Sequence, residues 1–344
     1  MTKEFDTLVT VMRMQPFHLG HQAVIDAALK NAHEVVVVIG SSFQPRTTKN
    51  PFTFEEREAM VLACYPDLPV RVVGVRDYPY DDNAWVSTVQ YAVDSVKTGT
   101  RTGLIGHSKD SSSYYLKIFP NWRKHVEVEN YQGINATDIR ADLFSNGIHF
   151  MGGDLMPTPA LKSMSISLLE GTWWSELKEE HTQIKAYHEK WESAPYAPTF
   201  VTTDAVIVQS AHVLLIKRGN FPFKDCWALP GGYLEKDKTI EENMIKELRE
   251  ETCIKLPAKV LKGSIKSTQV FDHPDRDPRG RTVTHAFYID LGFPDEKLPR
   301  VKDKQFEYSK EDDAAESKWV PLNEVTGEMM AFDHYAIISH FIRI

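Results

Sequence analysis

The stretch Arg13-Met14-Gln15-Pro16-Phe17-His18-Leu19-Gly20-His21 restricts the fold of the first half of the chain more than any other. It follows an apolar, β-branched run, Leu8-Val9-Thr10-Val11, and precedes Gln22-Ala23-Val24-Ile25-Asp26-Ala27-Ala28-Leu29, where apolar residues recur at helical spacing. Strand, turn and helix in that order predict the opening of a parallel α/β sheet, with the turn at the carboxyl end of the first strand, where open sheets bind ligands. Free N–H groups and the positive dipole end of a helix start favour a phosphate there. His18 and His21, three residues apart, reach the same side of the first helical turn. With Arg13 they suit nucleotidyl transfer, which needs positioning and charge stabilisation more than covalent chemistry.

Strands and helices keep alternating after this turn. Residues 33–39, 69–75, 103–106 and 125–129 read as strands and 53–63 and 84–96 as helices, a doubly wound α/β pattern with a parallel, Rossmann-like sheet. Thr53 and Glu56 have capping-box spacing at the second helix. Ile134-Asn135-Ala136-Thr137-Asp138-Ile139-Arg140 reads as another helix start, capped by Asn135 or Thr137. Polar segments at 41–52 and 80–85 are longer than plain turns need, although a solvated loop and a core-packed Trp85 would account for them.

Arg13 to His21 resembles the nucleotidyltransferase superfamily, and most closely the archaeal-type nicotinamide mononucleotide (NMN) adenylyltransferases. The resemblance implies ATP binding by Arg13, Phe17, His18 and His21, joined by Thr137 and Arg140 of the later helix start as a second cationic clamp. It also implies that Asn50 and Phe52, with Asn83 and Trp85, surround the nicotinamide nucleotide, Trp85 stacking on the pyridinium ring. His107-Ser108-Lys109-Asp110 is a weaker candidate for the same pocket. Met12 departs from the pattern, which carries Gly before the Arg.

A chain of 344 residues predicts two domains. We place the first at 1–183, a linker at 184–199, where Ser193-Ala194-Pro195-Tyr196-Ala197-Pro198 breaks a polar helical span, and the second at 200–344. No stretch is apolar for long enough to span a bilayer, and the start has no signal-peptide apolar region, which predicts a cytoplasmic protein with no membrane partner. A formal net charge of −8 argues against general nucleic-acid binding and for small-molecule nucleotides as partners. Homo-oligomerisation is left open. Cys64, Cys226 and Cys253 have neither metal-ligand spacing nor an even count for a disulfide framework.

The second half has longer alternating strands, at 201–209, 213–217, 261–271 and 282–291, and predicts an α+β domain. Its chemical centre is Leu229-Pro230-Gly231-Gly232-Tyr233-Leu234-Glu235 and a helix over 240–252, where Glu247, Glu250 and Glu251 share one face. Like charges so spaced repel unless a cation offsets them. Hard carboxylate oxygens favour Mg²⁺ or Mn²⁺, and a metal clamp on a pyrophosphate is a sharper reading than a solvated helix face.

Residues 232–254 resemble the Nudix hydrolase box, with Glu247, Leu248, Glu250, Glu251 and Ile254 in register. Three positions depart: Lys238 stands for the first Glu, Lys246 for the Arg and Cys253 for the Gly. Glu242 would substitute as a helical partner of Lys246, and Lys238 would reach Glu241 or Glu242. Cys253 in a left-handed cap would cost roughly 1–2 kcal/mol. The resemblance implies metal ligation by Glu247, Glu250 and Glu251, and ADP-ribose contacts from Gly231, Gly232, Arg276, Arg279 and Arg281. The base for the attacking water stays open among Glu311, Asp312, Asp313 and Glu316.

The pairing resembles the bacterial bifunctional NMN adenylyltransferase/Nudix hydrolases. It implies transfer of AMP from ATP to NMN, giving the dinucleotide and pyrophosphate, and Mg²⁺-dependent cleavage of ADP-ribose to AMP and ribose 5-phosphate. Two alternatives stand beside it: another phosphate acceptor in the first domain, and a second domain that senses ADP-ribose without cleaving it.

Overall fold

A computed structural model describes residues 3–107, 116–122, 125–292, 297–301 and 314–343. In the first unit the chain runs β1 (Phe5–Met12), α1 (Leu19–Asn31), β2 (Ala32–Ile39), α2 (Phe54–Cys64), β3 (Val70–Gly74), α3 (Asp82–Asp94), β4 (Thr102–Gly106), β5 (His125–Glu127), α4 (Ala136–Asn146) and α5 (Thr158–Glu170). All pairings are parallel in the order β3-β2-β1-β4-β5. Alternate side chains of the near-continuous apolar strands face opposite layers. Leu8, Val35, Val37 and Ile39 pack with Ile25, Met60 and Ile139 on one face, and Val9, Val36, Val38 and Leu104 with Val89 and Val93 on the other.

The expected doubly wound sheet is therefore present. Strand order reverses between β1 and β4, so the carboxyl end of β1, where His18 and His21 follow, lies at the switch point. Thr53 and Glu56 make the expected capping box. Helix α5 carries Pro159 in its first turn, where a missing N–H costs nothing.

Helix α6 (Trp173–Glu189) contains the point at which the chain divides into two compact units, Met1–Lys178 and Glu179–Ile344. Beyond it come β6 (Thr199–Gln209), β7 (His212–Arg218), β8 (Trp227–Ala228), β9 (Gly231–Tyr233), α7 (Ile240–Thr252), α8 (Ala258–Gly263), β10 (Ile265–Phe271), β11 (Arg281–Asp290), β12 (Ala314–Pro321) and α9 (His334–Ile342). The sheet is mixed, in the order β10-β11-β6-β7-β12, with β8 on β7 and β9 on β6; only β11 and β6 run parallel among its pairs. The strand expected from 261 begins four residues later, at Ile265, because Pro257 starts the short helix α8 and buries Leu261 in the core. Met244, Ile245 and Leu248 of α7 pack on Ala205, Ile207 and Leu214. Burying that stripe turns the glutamates of α7 away from the core.

Candidate active sites

The first site is built on an unusual helix cap. His18 is the N-cap of α1, and its Nδ1 accepts from the Gly20 N–H at 3.1 Å. His21, three residues on, returns the bond, its Nδ1 accepting from the His18 N–H at 3.2 Å. Two imidazoles thus do what a Ser or Thr and a Glu do in an ordinary capping box. Because both Nδ1 atoms accept, each neutral ring carries its proton on Nε2 and has an N–H to donate away from the helix backbone.

The rings stack with centroids 3.7 Å apart. Burial holds His18 down to about 4, and burial together with the charge of His18 holds His21 well below the usual range. Two unit charges about 4 Å apart repel by about 4 kcal/mol even at an effective dielectric constant of 20. The resting pair is neutral. Gly20 is required between them, since a Cβ there would lie 2.9 Å from Cε1 of His18.

Positive charge comes from arginines. Arg13 is exposed at the end of β1, and Arg140 of α4 donates to the Gln15 carbonyl at 2.7 Å and to Thr137 Oγ1 at 3.3 Å. Burial, and then the charge of Arg13, lowers Arg140 to about 10. Neither guanidinium has a carboxylate partner among the described residues. Thr137 is exposed in the first turn of α4, and Asn135 is its cap.

Other expected residues take less direct places. Phe17 is fully buried and stacks behind His21 with centroids 5.9 Å apart. Phe52 is also buried, edge-on to Trp173, and both its backbone polar groups bond the Gln15 side chain, at 2.8 and 2.9 Å. Asn50 is half-buried, and its Oδ1 has no hydrogen-bond partner among the described residues. Asn83 is exposed at the start of α3, while Trp85 is half-buried against Phe119. His107 holds the Val128 carbonyl through Nδ1; Ser108, Lys109 and Asp110 lie outside the described residues.

Arg57 escaped the sequence reading. It is 1% exposed and donates to the carbonyls of Arg13, Gly40, Ser41 and Thr53 and to Ser42 Oγ. One guanidinium thus ties the ends of β1 and β2 to the start of α2. In sequence it looks like an ordinary surface arginine of an amphipathic helix.

In the second unit a cavity of about 370 Å³ is lined by Gly231 and Gly232, by Glu247, Glu250 and Glu251, and by Arg276 and Arg279 among others. Gly231 and Gly232 form β9 against β6; a Cβ on Gly231 would overlap the Thr203 carbonyl, and one on Gly232 would lie 2.7 Å from Glu247 Oε2. The glycines let α7 and β6 approach the same turn. Glu251 accepts from the Gly231 N–H at 2.8 Å. Burial raises the Glu247 carboxyl, an effect partly countered by Lys246.

The cation among the acids is Lys246. Its Nζ lies 2.6 Å from Glu250, 3.0 Å from Glu235 and 3.3 Å from Glu247. Among the described residues no group of three or more His, Cys, Asp or Glu side chains is gathered into a metal cage. As donors, though, several carboxylate oxygens on one cavity wall suit a hard divalent cation.

Glu242 does not replace the missing partner of the box. Its carboxylate accepts from the N–H and hydroxyl of Thr239 in the capping box of α7, and Glu241 pairs with Lys262 at 2.8 Å. Glu235 takes the role instead, bridging Lys246 and Lys238, the latter at 2.5 Å. Cys253 does adopt the left-handed conformation, with φ of 52°.

Two of the three arginines point into the cavity wall. Arg276 is chelated by Asp333 at 2.8 and 2.9 Å, and Arg279 by Asp277, with Tyr233 and Phe332 rings 5.4 and 5.5 Å from its guanidinium. Arg281 is not among the cavity residues and pairs with Asp272. Of the acids weighed as base, Glu311, Asp312 and Asp313 lie outside the described residues, and Glu316 sits on β12 opposite Lys217.

A cytidylyltransferase-like family model matches residues 9–142, and a NUDIX domain model residues 198–341. The nicotinamide/nicotinic acid mononucleotide adenylyltransferase of Acinetobacter baylyi is 39% identical over 150 residues, 42% of this chain and 79% of that protein. The ADP-ribose pyrophosphatase of Methanocaldococcus jannaschii is 36% identical over 148 residues, 43% of this chain and 76% of that protein. End to end, the chain superposes on a bifunctional NMN adenylyltransferase/ADP ribose pyrophosphatase from Francisella tularensis with a TM-score of 0.88 at 32% identity, over 98% of this chain and 99% of that one. The chain belongs to this bifunctional family. A second Francisella tularensis structure, described as complexed with AMP and a Mn ion, matches with a TM-score of 0.86 at 31% identity over the same shares.

Membership in the bifunctional NMN adenylyltransferase/ADP-ribose pyrophosphatase family bears out the resemblances drawn from both motifs, and the mixed sheet is that of a Nudix domain. It does not favour a second domain that only senses ADP-ribose, or a different acceptor in the first. No helix among the described residues is long and apolar enough to cross a membrane.

Proposed function

We propose that the first unit joins NMN to ATP and that the second hydrolyses ADP-ribose, both on dissolved nucleotides in the cytoplasm. The observation that carries the first activity is the imidazole capping box: two Nε2–H donors and two guanidiniums without carboxylate partners surround a helix N-terminus. A phosphate oxygen of NMN attacks the α-phosphorus of ATP, the bond to the β-phosphate oxygen breaks, and pyrophosphate leaves. His18 and His21 donate to phosphate oxygens as charge builds on them, while Arg13 and Arg140 hold the departing phosphates. Trp85 and Asn83 line the nicotinamide side, and the unpartnered Asn50 Oδ1 is suited to accept from a carboxamide N–H.

In the second unit water adds to one phosphorus of ADP-ribose, and the anhydride P–O bond breaks to give AMP and ribose 5-phosphate. Glu247, Glu250 and Glu251 would hold Mg²⁺ or Mn²⁺, which supplies Lewis-acid stabilisation of phosphoryl charge when bound. Arg279 and Arg276 line the cavity and would meet the phosphates by exchanging their aspartate partners. One assay tests both activities: the full chain is given NMN, ATP and ADP-ribose with Mg²⁺, and every product is followed. Dinucleotide, pyrophosphate, AMP and ribose 5-phosphate are expected. Absence of either product pair removes the corresponding assignment.

A further inference from the structure

A histidine with no part in the steps above lies beneath the pyrophosphatase turn. His334, at the start of α9, is 6% exposed. Its Nδ1 accepts from the buried Leu229 N–H at 2.9 Å. The ring proton therefore sits on Nε2, which faces Asp204 Oδ1 at 3.8 Å. Asp204 is itself fixed by a bond from Thr284 Oγ1 at 2.6 Å, and the neighbouring Asp333 is locked by Arg276. The imidazole has a set orientation.

What it holds is the start of the turn at 229–232. Successive residues of that turn are pinned by three different elements. Leu229 donates to His334 of α9, the Pro230 carbonyl accepts from Ala205 of β6 at 2.9 Å, and Gly231 donates to Glu251 of α7 at 2.8 Å. The Gly231 N–H orients a carboxylate assigned above to the metal. Its own position depends on the peptide plane two residues earlier. Without an acceptor for Leu229, a buried N–H is left unpaired, and the turn gains a reason to rotate.

We infer that His334 is a positioning residue of the pyrophosphatase site: it fixes Leu229 and, through the turn, aims Glu251. The inference rests on the proposed role of Glu251, and it assigns no contact between His334 and substrate. Outer partners of metal-holding groups typically change affinity or activity by about 10–100-fold when removed.

The test uses the full chain with His334→Leu, His334→Asn and His334→Gln. Asparagine can place its amide oxygen where Nδ1 stands, whereas glutamine reaches toward the Nε2 position and Asp204. ADP-ribose hydrolysis is measured as kcat and KM, Mn²⁺ binding by calorimetry, and exchange of the Leu229 and Gly231 amides by NMR. We expect kcat to fall by about 10–100-fold in the leucine and glutamine variants, with KM for ADP-ribose within about threefold of wild type. Their Mn²⁺ binding should weaken and both amides exchange faster, and asparagine should restore all three. Should the leucine variant not fold, the asparagine and glutamine pair decides the matter. Equal behaviour of that pair, or wild-type kcat and exchange in all three, overturns the inference. Glu251→Gln is run alongside. Retained hydrolysis there overturns the metal assignment and the positioning role with it, whereas lost hydrolysis there with unaffected His334 variants overturns the positioning role alone.

Discussion

The two sites handle charge in opposite ways. At the first, imidazole N–H groups and guanidiniums are presented without carboxylates to neutralise them, so an entering triphosphate meets donors already aimed. At the second, charges are neutralised inside the protein: Lys246 among the acids, Asp333 on Arg276, Asp277 on Arg279. A ligand there must exchange partners with the protein. The first arrangement is preorganised for anions, while the second is held together by the contacts that binding rearranges. It follows that removing a donor at the first site leaves no internal counter-charge unpaired, whereas removing one partner of an ion pair at the second does.

Replacing His18 by Ala should give the largest effect. It removes a phosphate donor and the cap of α1, and adenylyl transfer should drop by about 10²–10³-fold in kcat with ADP-ribose hydrolysis unchanged. Full transfer activity would remove His18 from the mechanism. At the second site the matching change is Glu251→Gln, which keeps an acceptor for the Gly231 N–H but loses the charge. Hydrolysis should fall by at least about 10²-fold, because metal-borne stabilisation is worth several kcal/mol. Stability should barely move. A large loss of stability in that variant would mean that the carboxylate charge, and not the hydrogen bond, holds the turn.

The neutral imidazoles of the capping box also set a pH dependence. Burial holds His18 at about 4 in the folded chain, against an ordinary value of 6.5 in the unfolded one. Between those values the unfolded chain holds more protons, so the contribution is complete above pH 6.5 and is lost as pH falls toward 4, by about 3 kcal/mol in all. His21 moves in the same direction. Denaturant midpoints measured between pH 7 and pH 4.5 should fall for the wild type and fall less for His18→Asn, which keeps a capping side chain but cannot titrate. Parallel curves would mean that His18 titrates normally.

These contrasts also explain what was legible in the sequence. The strand, turn and helix around His18 could be read because period-2 and helical patterns and a three-residue spacing are local. The same local rule was available at Thr239 and Glu242, whose Thr-x-x-Glu spacing marks the start of α7, yet Glu242 was expected to pair with Lys246; the capping bond had already engaged it. Gln15 was visible, but its bonds to Phe52 were not, since they join residues 37 apart. Arg57 and His334 act on main-chain carbonyls or N–H groups that only tertiary structure gathers, and they leave no pattern of spacing. Asp204 did leave a trace, as a lone acid inside the run Thr203-Asp204-Ala205-Val206-Ile207. A charge buried in a strand needs a partner or a task.

Glycine tests the comparison with a smaller change. Gly20→Ala would set a Cβ 2.9 Å from the His18 ring and force that ring to turn, since the backbone of a capped helix start is the stiffer part. We expect loss of transfer activity by about 10²-fold, as for a reacting group misplaced by about 1 Å, and a stability cost of about 1–3 kcal/mol. ADP-ribose hydrolysis serves as the internal control. Wild-type transfer in this variant would show that the ring is not held where the cap places it.

The smallest effect is expected at Cys253, and it has the opposite sign. The residue ends α7 with φ of 52° and ψ of 26°, a conformation in which an L side chain crowds its own carbonyl and glycine does not. Its thiol is exposed, so little packing is lost on removing it. Cys253→Gly should therefore stabilise the protein by about 1 kcal/mol, the left-handed penalty less the entropy that glycine adds to the unfolded chain. Glu250 and Glu251 lie in the last turn before this cap, so a firmer end to α7 bears directly on the acids. If Mn²⁺ affinity rises along with stability, the self-neutralised site is limited by the order of its helix. If stability alone rises, exchange with Lys246 sets the affinity, and the second site differs from the first in charge and not in rigidity.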